Sequence, residues 1–313
     1  MLSYEFIDPE QQISSEDFKD VESFLKLTGR TQLGWHYITD LCWIYSKVKQ
    51  WPKGLKILDG GGGSGPTQFL LAEMGFHVIN IDLSLSEPPS AYKQRYRTEL
   101  EILPSFSPTS YSEFLSSLNS DSDSKFRFKK WIKSLPIYNW YNSIKYSDKY
   151  SDLSTNSEKW RDSVGLKEVS MGSISWKIGN LRQLPEIPSD FFDGVVSLSS
   201  LEHIPTDILD EALQEINRIL KPNALWAVTT SGTEKSSTWF HEPSNGYCFS
   251  SFDFEKRFGA KPIENQDPSL ILKRYSQCSY LKENLADFYK KSGRYGMPWG
   301  IWEPKYIPVG LSN

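Results

Sequence analysis

The chain has 313 residues and a formal net charge of −4, the length of one large domain with additions or of two small ones, and its slightly acidic balance excludes a general nucleic-acid binder. No window approaches the ~18 continuous apolar residues of a membrane span, and Met1 to Gln11 lacks the basic start and apolar core of a secretory signal, so no integral membrane segment is expected. Cys42, Cys248 and Cys278 are widely spaced without a CxxC pair, which argues against structural zinc and for a reducing, cytoplasmic setting.

Met1 to Ser14 shows little pattern. Ser15 to Leu27 reads as a helix: Ser15 can cap it, Phe18, Val21, Phe24 and Leu25 share a face, and Gly29 can close it. Trp35 to Val48 is a second amphipathic helix, with Trp35, Ile38, Leu41, Tyr45 and Val48 at helical spacing. Pro52 and Gly54 then break the chain.

The stretch Leu55 to Ser84 organises the rest of the chain. Leu55 to Leu58 is a short apolar run ending on Asp59, and from Gly60 to Gly65 only Ser64 has a side chain larger than hydrogen. A helical pattern starts near Pro66 (Phe69, Leu70, Met74) and stops at Gly75; a second apolar run, Val78 to Ile81, ends on Asp82. This strand, glycine turn, helix and strand is the unit of a parallel α/β sheet. Glycines let a ligand approach the main chain, and an acid ending the second strand can accept hydrogen bonds from a ribose diol. His77 opens that strand and reads as structural.

Two registers fit the turn. Gly60, Gly62 and Gly65 satisfy GxGxxG, a dinucleotide fingerprint that would imply a nicotinamide-dependent oxidoreductase. The other register, Asp59-x-Gly61-x-Gly63-x-Gly65, resembles the first motif of class I S-adenosylmethionine-dependent methyltransferases. That resemblance implies that Asp59, Gly61, Gly63 and Gly65 lie against the methionine part of S-adenosyl-L-methionine, or of its product S-adenosyl-L-homocysteine. It implies that Asp82 holds the ribose, with Leu83 beside it.

From Glu87 to Gly172 the α/β rhythm lapses. The gap of about 85 residues far exceeds the roughly 15 to 25 of a single crossover. It is Ser-rich from Ser116 to Ser124, then basic and aromatic through Lys125, Arg127, Lys129, Lys130, Trp131 and Lys133, with Tyr138, Trp140, Tyr141 and Trp160 beyond. An insertion here reads as a partly helical lid that sets substrate choice. Its basic cluster suits either a phosphate-bearing ligand or a solvated helix face.

The rhythm returns with a strand over Ile174 to Ile178, then Gly179, Asn180 and Leu181. Methyltransferases of the resembled family usually carry Asp at this corner, against the adenine amine; the Asn180 amide oxygen can still accept that hydrogen bond. Leu181 would line the same pocket. Strand Gly194 to Leu198 leads to a loop from Ser199 to Pro205 and a helix with Ile208, Leu209, Ala212, Leu213, Ile216, Ile219 and Leu220 on one face. Pro222 stops that helix, Asn223 tolerates the left-handed turn, and Ala224 to Thr230 is the next strand. The string from Phe192 to Ala224 closely resembles the second half of the methyltransferase core, including Leu201-Glu202-His203 and the Lys221-Pro222 turn. Dehydrogenases lack this segment, so the resemblance favours S-adenosylmethionine and places Ser197 at the cofactor.

In the tail, Phe252 to Phe258 reads as a helix and Leu270 to Tyr275 as a sixth strand; Pro298 to Trp302 and Tyr306 to Leu311 read as a closing hairpin with a reversed last strand. The expectation is an α/β, Rossmann-like, mostly parallel seven-stranded sheet with helices on both faces. Residues 1–54 would form an N-terminal helical cap, 55–86 with 173–313 the cofactor-binding core, and 87–172 the inserted lid.

Methyl transfer to oxygen needs an acceptor held in line and a base to take its proton. His203, in the loop after the fourth core strand, is the first candidate base; Glu202 is the second, and His241 with Glu242 the third. Asp207 and Asp210 do not make a metal site, so no metal is expected. Ser197 to Ser200 stands where amino-methylating nucleic-acid enzymes of this class carry an Asn/Asp-Pro-Pro-aromatic motif. The segment from Gly29 to Ile44 resembles the one preceding strand one in methyltransferases of glycan and lipopolysaccharide assembly, which makes Trp35 and His36 candidates for the cofactor-pocket rim. The reading is O-methylation of a glycan or polar small molecule. A non-catalytic, methyltransferase-like binding subunit is the reading of another class.

Overall fold

In the computed structural model, residues 1–85, 90–107, 152–263, 266–291 and 296–313 are described. Their strands are β1 (Ser3–Phe6), β2 (Lys56–Gly60), β3 (His77–Asp82), β4 (Leu100–Ile102), β5 (Ser173–Ile178), β6 (Phe192–Leu198), β7 (Leu220–Gly232), β8 (Trp239–His241), β9 (Gly246–Cys248), β10 (Lys261–Pro262) and β11 (Ile307–Ser312). One sheet runs β10-β1-β11-β7-β6-β2-β3-β5-β4, and β8 pairs with β9 in a separate hairpin. Strands β4, β5, β3, β2, β6 and β7 are mutually parallel. The last strand, β11, lies antiparallel between β7 and β1.

The sheet therefore has nine strands among the described residues, not seven. The strand expected over Leu270 to Tyr275 is a helix, Pro268–Gln277. Its apolar run misled because its start is set by a cap: the Asp267 carboxylate accepts the N–H groups of Ser269 and Leu270, and Pro268 follows at the first helical position. Ile271 and Tyr275, four apart, are its buried pair. The place beside β11 is filled by β1, whose four residues alternate in burial. Pro298–Gly300 is a short 3₁₀ turn and gives no hairpin partner to β11.

Adjacent residues on the central strands face opposite layers. Ile57, Val78, Val196 and Ala227 pack with helices Glu16–Leu27, Tyr37–Val48, Thr67–Glu73 and Leu153–Ser163. Leu58, Ile81, Val195 and Val228 pack with helices Thr206–Ile219, Ser251–Arg257 and Pro268–Gln277. A parallel sheet covered on both faces needs such doubly apolar strands. Ser15 caps the first long helix as its sequence predicts, accepting the Phe18 N–H at 3.1 Å.

Within 87–172, the described residues add β4 at the sheet edge and helices Ser90–Tyr96 and Leu153–Ser163. Glu73, fully buried, holds the first of these: Arg95 donates to it at 2.6 and 2.8 Å and the Tyr96 hydroxyl at 2.8 Å. Trp160 of the second lies buried edge-on against Phe24. The basic cluster from Lys125 to Lys133, the serine run, and Tyr138, Trp140 and Tyr141 lie outside the described residues.

Candidate active site

Strand β2 delivers Asp59 into a fully buried position at the start of the glycine turn. Gly61 and Gly63 have φ of 70° and 51°, the left-handed region that favours glycine. A Cβ on Gly62 would lie 2.0 Å from the Asp59 carboxylate, so only glycine fits there. Asp82, ending β3, accepts the Gly63 N–H at 3.0 Å and the Ser84 N–H at 2.9 Å; Leu83 sits half-buried between Asp82 and Ser84. Gly65 closes the turn by donating to the Gly62 carbonyl at 2.9 Å.

Two buried amides that sequence reasoning passed over hold this turn. Asn80 donates to the Gly63 carbonyl at 3.0 Å and to Asp59 at 3.3 Å, and Gln68 donates to the Gly63 and Gly65 carbonyls. Asp59 Oδ1, Asn80 Oδ1 and Gln68 Oε1 are buried without a hydrogen-bond partner among the described residues. Burial, then the charge of Asp82, pushes the Asp59 carboxyl up to about 8. Three buried acceptors around one turn suit a ligand group rich in hydrogen-bond donors. Opposite them, Arg30 donates to the Ser64 carbonyl at 2.6 Å and to the Tyr92 hydroxyl at 3.1 Å, with its guanidinium 4.1 Å from the centre of the Phe69 ring. Arg30 was also missed, because nothing in its local sequence ties it to the turn.

The corner after β5 brings Leu181 over the turn: a Cβ on Gly60 would lie 3.7 Å from it. The Asn180 amide oxygen accepts the Arg182 N–H at 3.1 Å, which orients the side chain. Ser197 is buried and donates to the Gly60 carbonyl at 2.8 Å, so it braces the turn from beneath.

The loop after β6 links this turn to a second feature. Ser199, at φ 45°, is held in the left-handed region by its N–H to the Thr229 carbonyl at 3.1 Å and its hydroxyl to Asp40 at 2.7 Å. Ser200 donates to the Gly60 carbonyl at 2.7 Å. Glu202 and His203 follow, and both line a cavity of about 280 Å³ with His36, Tyr37, Ser231, Ser244, Tyr289, Gly296 and Tyr306.

His203 is exposed, and its Nδ1 lies 2.8 Å from the Asn245 carbonyl. A carbonyl only accepts, so Nδ1 carries the proton and Nε2 is left basic. Glu202 is 3% exposed; the hydroxyls of Thr230 and Ser231 donate to its two oxygens at 3.1 and 3.2 Å. Burial raises its carboxyl above the ordinary range, Asp40 adds to this, and His203 and His36 oppose it.

His36 faces this cavity together with the acid and His203. Its Nδ1 is 2.9 Å from Asp40 Oδ2, and the Tyr306 hydroxyl lies 3.4 Å from its Nε2. Trp35 is buried behind the wall, donating from Nε1 to the Tyr306 hydroxyl at 2.9 Å and from its backbone to the Tyr289 hydroxyl at 3.0 Å. His241 does not line the cavity: it is buried, packs edge-on against Tyr306 and meets the Ser244 hydroxyl at 2.7 Å. Burial, and then Lys305, lower its basicity. Tyr37, Tyr289 and Tyr306 could not be picked out beforehand, since single tyrosines far apart in the chain carry no spacing signal. No group of three or more His, Cys, Asp or Glu side chains suited to a metal occurs among the described residues, and no helix there is long and apolar enough to cross a membrane.

A glycine turn flanked by two acids is joined by one loop to a separate polar cavity, the kind of paired site found at the strand ends of α/β folds. The model of the methyltransferase domain matches residues 45–259, and the chain belongs to that family. It is an S-adenosylmethionine-dependent methyltransferase, with S-adenosylmethionine as its cofactor. The oxidoreductase and non-catalytic readings are thereby set aside.

A search among curated proteins finds no match. Among solved structures, the chain is similar to the 1,6-didemethyltoxoflavin-N1-methyltransferase of Burkholderia thailandensis (TM-score 0.41, 12% identity, 86% of this chain and 75% of that one). It is also similar to the cyclase SpnF (0.48, 13%, 98% and 97%) and to the geranyl diphosphate C-methyltransferase of Streptomyces coelicolor A3(2) (0.38, 9%, 87% and 74%).

Proposed function

We propose that this methyltransferase acts on a hydroxyl of a polar small molecule or glycan unit, with His203 as general base. The observation that carries the proposal is the loop after β6: Ser200 is bonded to the glycine turn, and two and three residues on, Glu202 and His203 line the cavity. The bound cofactor supplies an electrophilic methyl group. The protein's tasks are to hold the acceptor in line, exclude water and take one proton.

Asp59 and the glycine turn would hold the methionine ammonium, and Arg30, the cation bonded to that turn, its carboxylate. Asp82 would take the ribose hydroxyls; Leu181 and Asn180 would take the adenine. His203 Nε2 would receive the acceptor's proton, with Nδ1 anchored on Asn245 so that the ring does not turn. The cavity walls of half-buried Tyr37 and buried Tyr289 and Tyr306 would exclude water and orient the acceptor. His36, fixed by Asp40, would lend a second imidazole to the wall. His241 would serve by supporting Tyr306 and Ser244.

The test is incubation of the purified chain with carbon-13-methyl S-adenosylmethionine and a whole lysate of host cells deleted for its gene, separated afterwards into low-mass and macromolecular fractions. The expected product is a low-mass compound whose labelled carbon has the chemical shift of a methoxy group. An N-methyl or C-methyl signal would replace the oxygen reading, and label appearing only in macromolecules would overturn the small-molecule one.

A further inference from the structure

The Glu202 carboxyl lines the cavity without a bonded cation among the described residues. Its side-chain partners are the neutral hydroxyls of Thr230 and Ser231, and none of the described residues lining the cavity is Lys or Arg. The two imidazoles in the wall direct their Nδ1 elsewhere, His203 to the Asn245 carbonyl and His36 to Asp40. A carboxylate has about four lone-pair sites; two hydroxyls and its own backbone N–H occupy three of these, leaving room for one more donor.

Three tyrosines share the wall with the two imidazoles, Ser231, Ser244 and Gly296. Tyr37, Tyr289 and Tyr306 line the cavity. Carboxylate and aromatic rings together favour a cation: the charge pairs with the acid, and ring electrons attract what remains. A neutral polyol could donate a hydrogen bond to the acid, as Thr230 and Ser231 do, but would bring no charge to pair with it.

We propose that the acceptor carries an ammonium group and that Glu202 is its counter-ion, leaving the acceptor's hydroxyl to His203. This rests on the acceptor reading of the cavity given above. Glu202 is then a specificity-determining residue that selects amino-bearing acceptors over their neutral analogues.

The experiment compares 2-aminoethanol, cationic at neutral pH, with 1,2-ethanediol, its uncharged counterpart. Each is titrated into the S-adenosylhomocysteine-loaded full chain and followed by saturation-transfer NMR. The wild type is expected to prefer the ammonium compound by about tenfold or more. Glu202→Gln should lose that preference and Glu202→Asp should keep most of it. Equal binding of the two compounds, no binding of the ammonium compound to the wild type, or an unchanged preference in Glu202→Gln would overturn the proposal. Calorimetry of S-adenosylhomocysteine on the same samples separates the cases. Intact cofactor binding in Glu202→Gln shows that the variant is folded, whereas loss of cofactor binding by the wild type would be a failure of the donor-site assignments and not of this one.

Discussion

The glycine turn draws most of its geometry from one stretch, Asp59 to Asp82: Asp82 and Asn80 bond Gly63, Gln68 bonds Gly63 and Gly65, and Asp59 fills the space a side chain at residue 62 would need. The cavity is assembled the other way. His36 and Tyr37 come from ahead of the core, Glu202 and His203 from the loop after β6, Ser231 from β7, Ser244 from beyond β8, and Tyr289 and Tyr306 from the tail. A donor common to many reactions suits a local, rigid motif. An acceptor site built from distant single residues can change its chemistry without disturbing that motif.

The separation breaks if damage to one side is felt equally at the other. The largest effect is expected at His203. His203→Ala should lower turnover by about 10²- to 10⁴-fold and leave S-adenosylhomocysteine affinity unchanged by calorimetry. A parallel loss of affinity would mean that the histidine orders the donor side. Gly62→Ala should do the reverse: its Cβ would be placed against Asp59, and cofactor affinity should fall by about a hundredfold, ~2.7 kcal/mol.

A pH profile sharpens the donor side. Asp59 is raised from 3.8 to about 8, so between these values the folded chain binds more protons there than the unfolded one. Its contribution to stability is present at low pH and is lost as pH rises toward 8. Ligand binding has the opposite sign, because the cofactor's ammonium favours the ionised acid. Affinity for S-adenosylhomocysteine should rise by up to about tenfold per pH unit below pH 8, with release of a proton. Calorimetry in two buffers of different ionisation heat would show this, and Asp59→Asn should flatten it. The smallest effect is at Arg30. Arg30→Ala should weaken S-adenosylhomocysteine by about tenfold and leave 5′-methylthioadenosine, which lacks the carboxylate, unaffected; equal losses would assign Arg30 to bracing the turn.

Legibility in the sequence follows the same division. The turn could be read because strand, glycines and acids are contiguous and each has a local reason. The capped helix after Ser15 and the long amphipathic helix before β7 were readable for the same cause. Strand β1 escaped because four alternating residues give too short a period. The helix Pro268–Gln277 was misread because Leu270, Ile271 and Leu272 look like a strand once the Asp267 cap is overlooked. At the cavity, the Leu-Glu-His segment stood out through its resemblance to the second half of the methyltransferase core. The tyrosine walls and the Asp40 anchor were not, since they meet only through the tertiary fold.

The most direct test is titration of S-adenosylhomocysteine into the wild type, Asp82→Ala and Glu202→Gln, with NAD run in parallel. The expected result is micromolar affinity for the wild type, about −8 kcal/mol, a loss of about tenfold or more in Asp82→Ala, no change in Glu202→Gln, and no binding of NAD. Equal weakening in both variants, or heat from NAD, would contradict the assignment of the glycine turn to the donor and of the cavity to the acceptor.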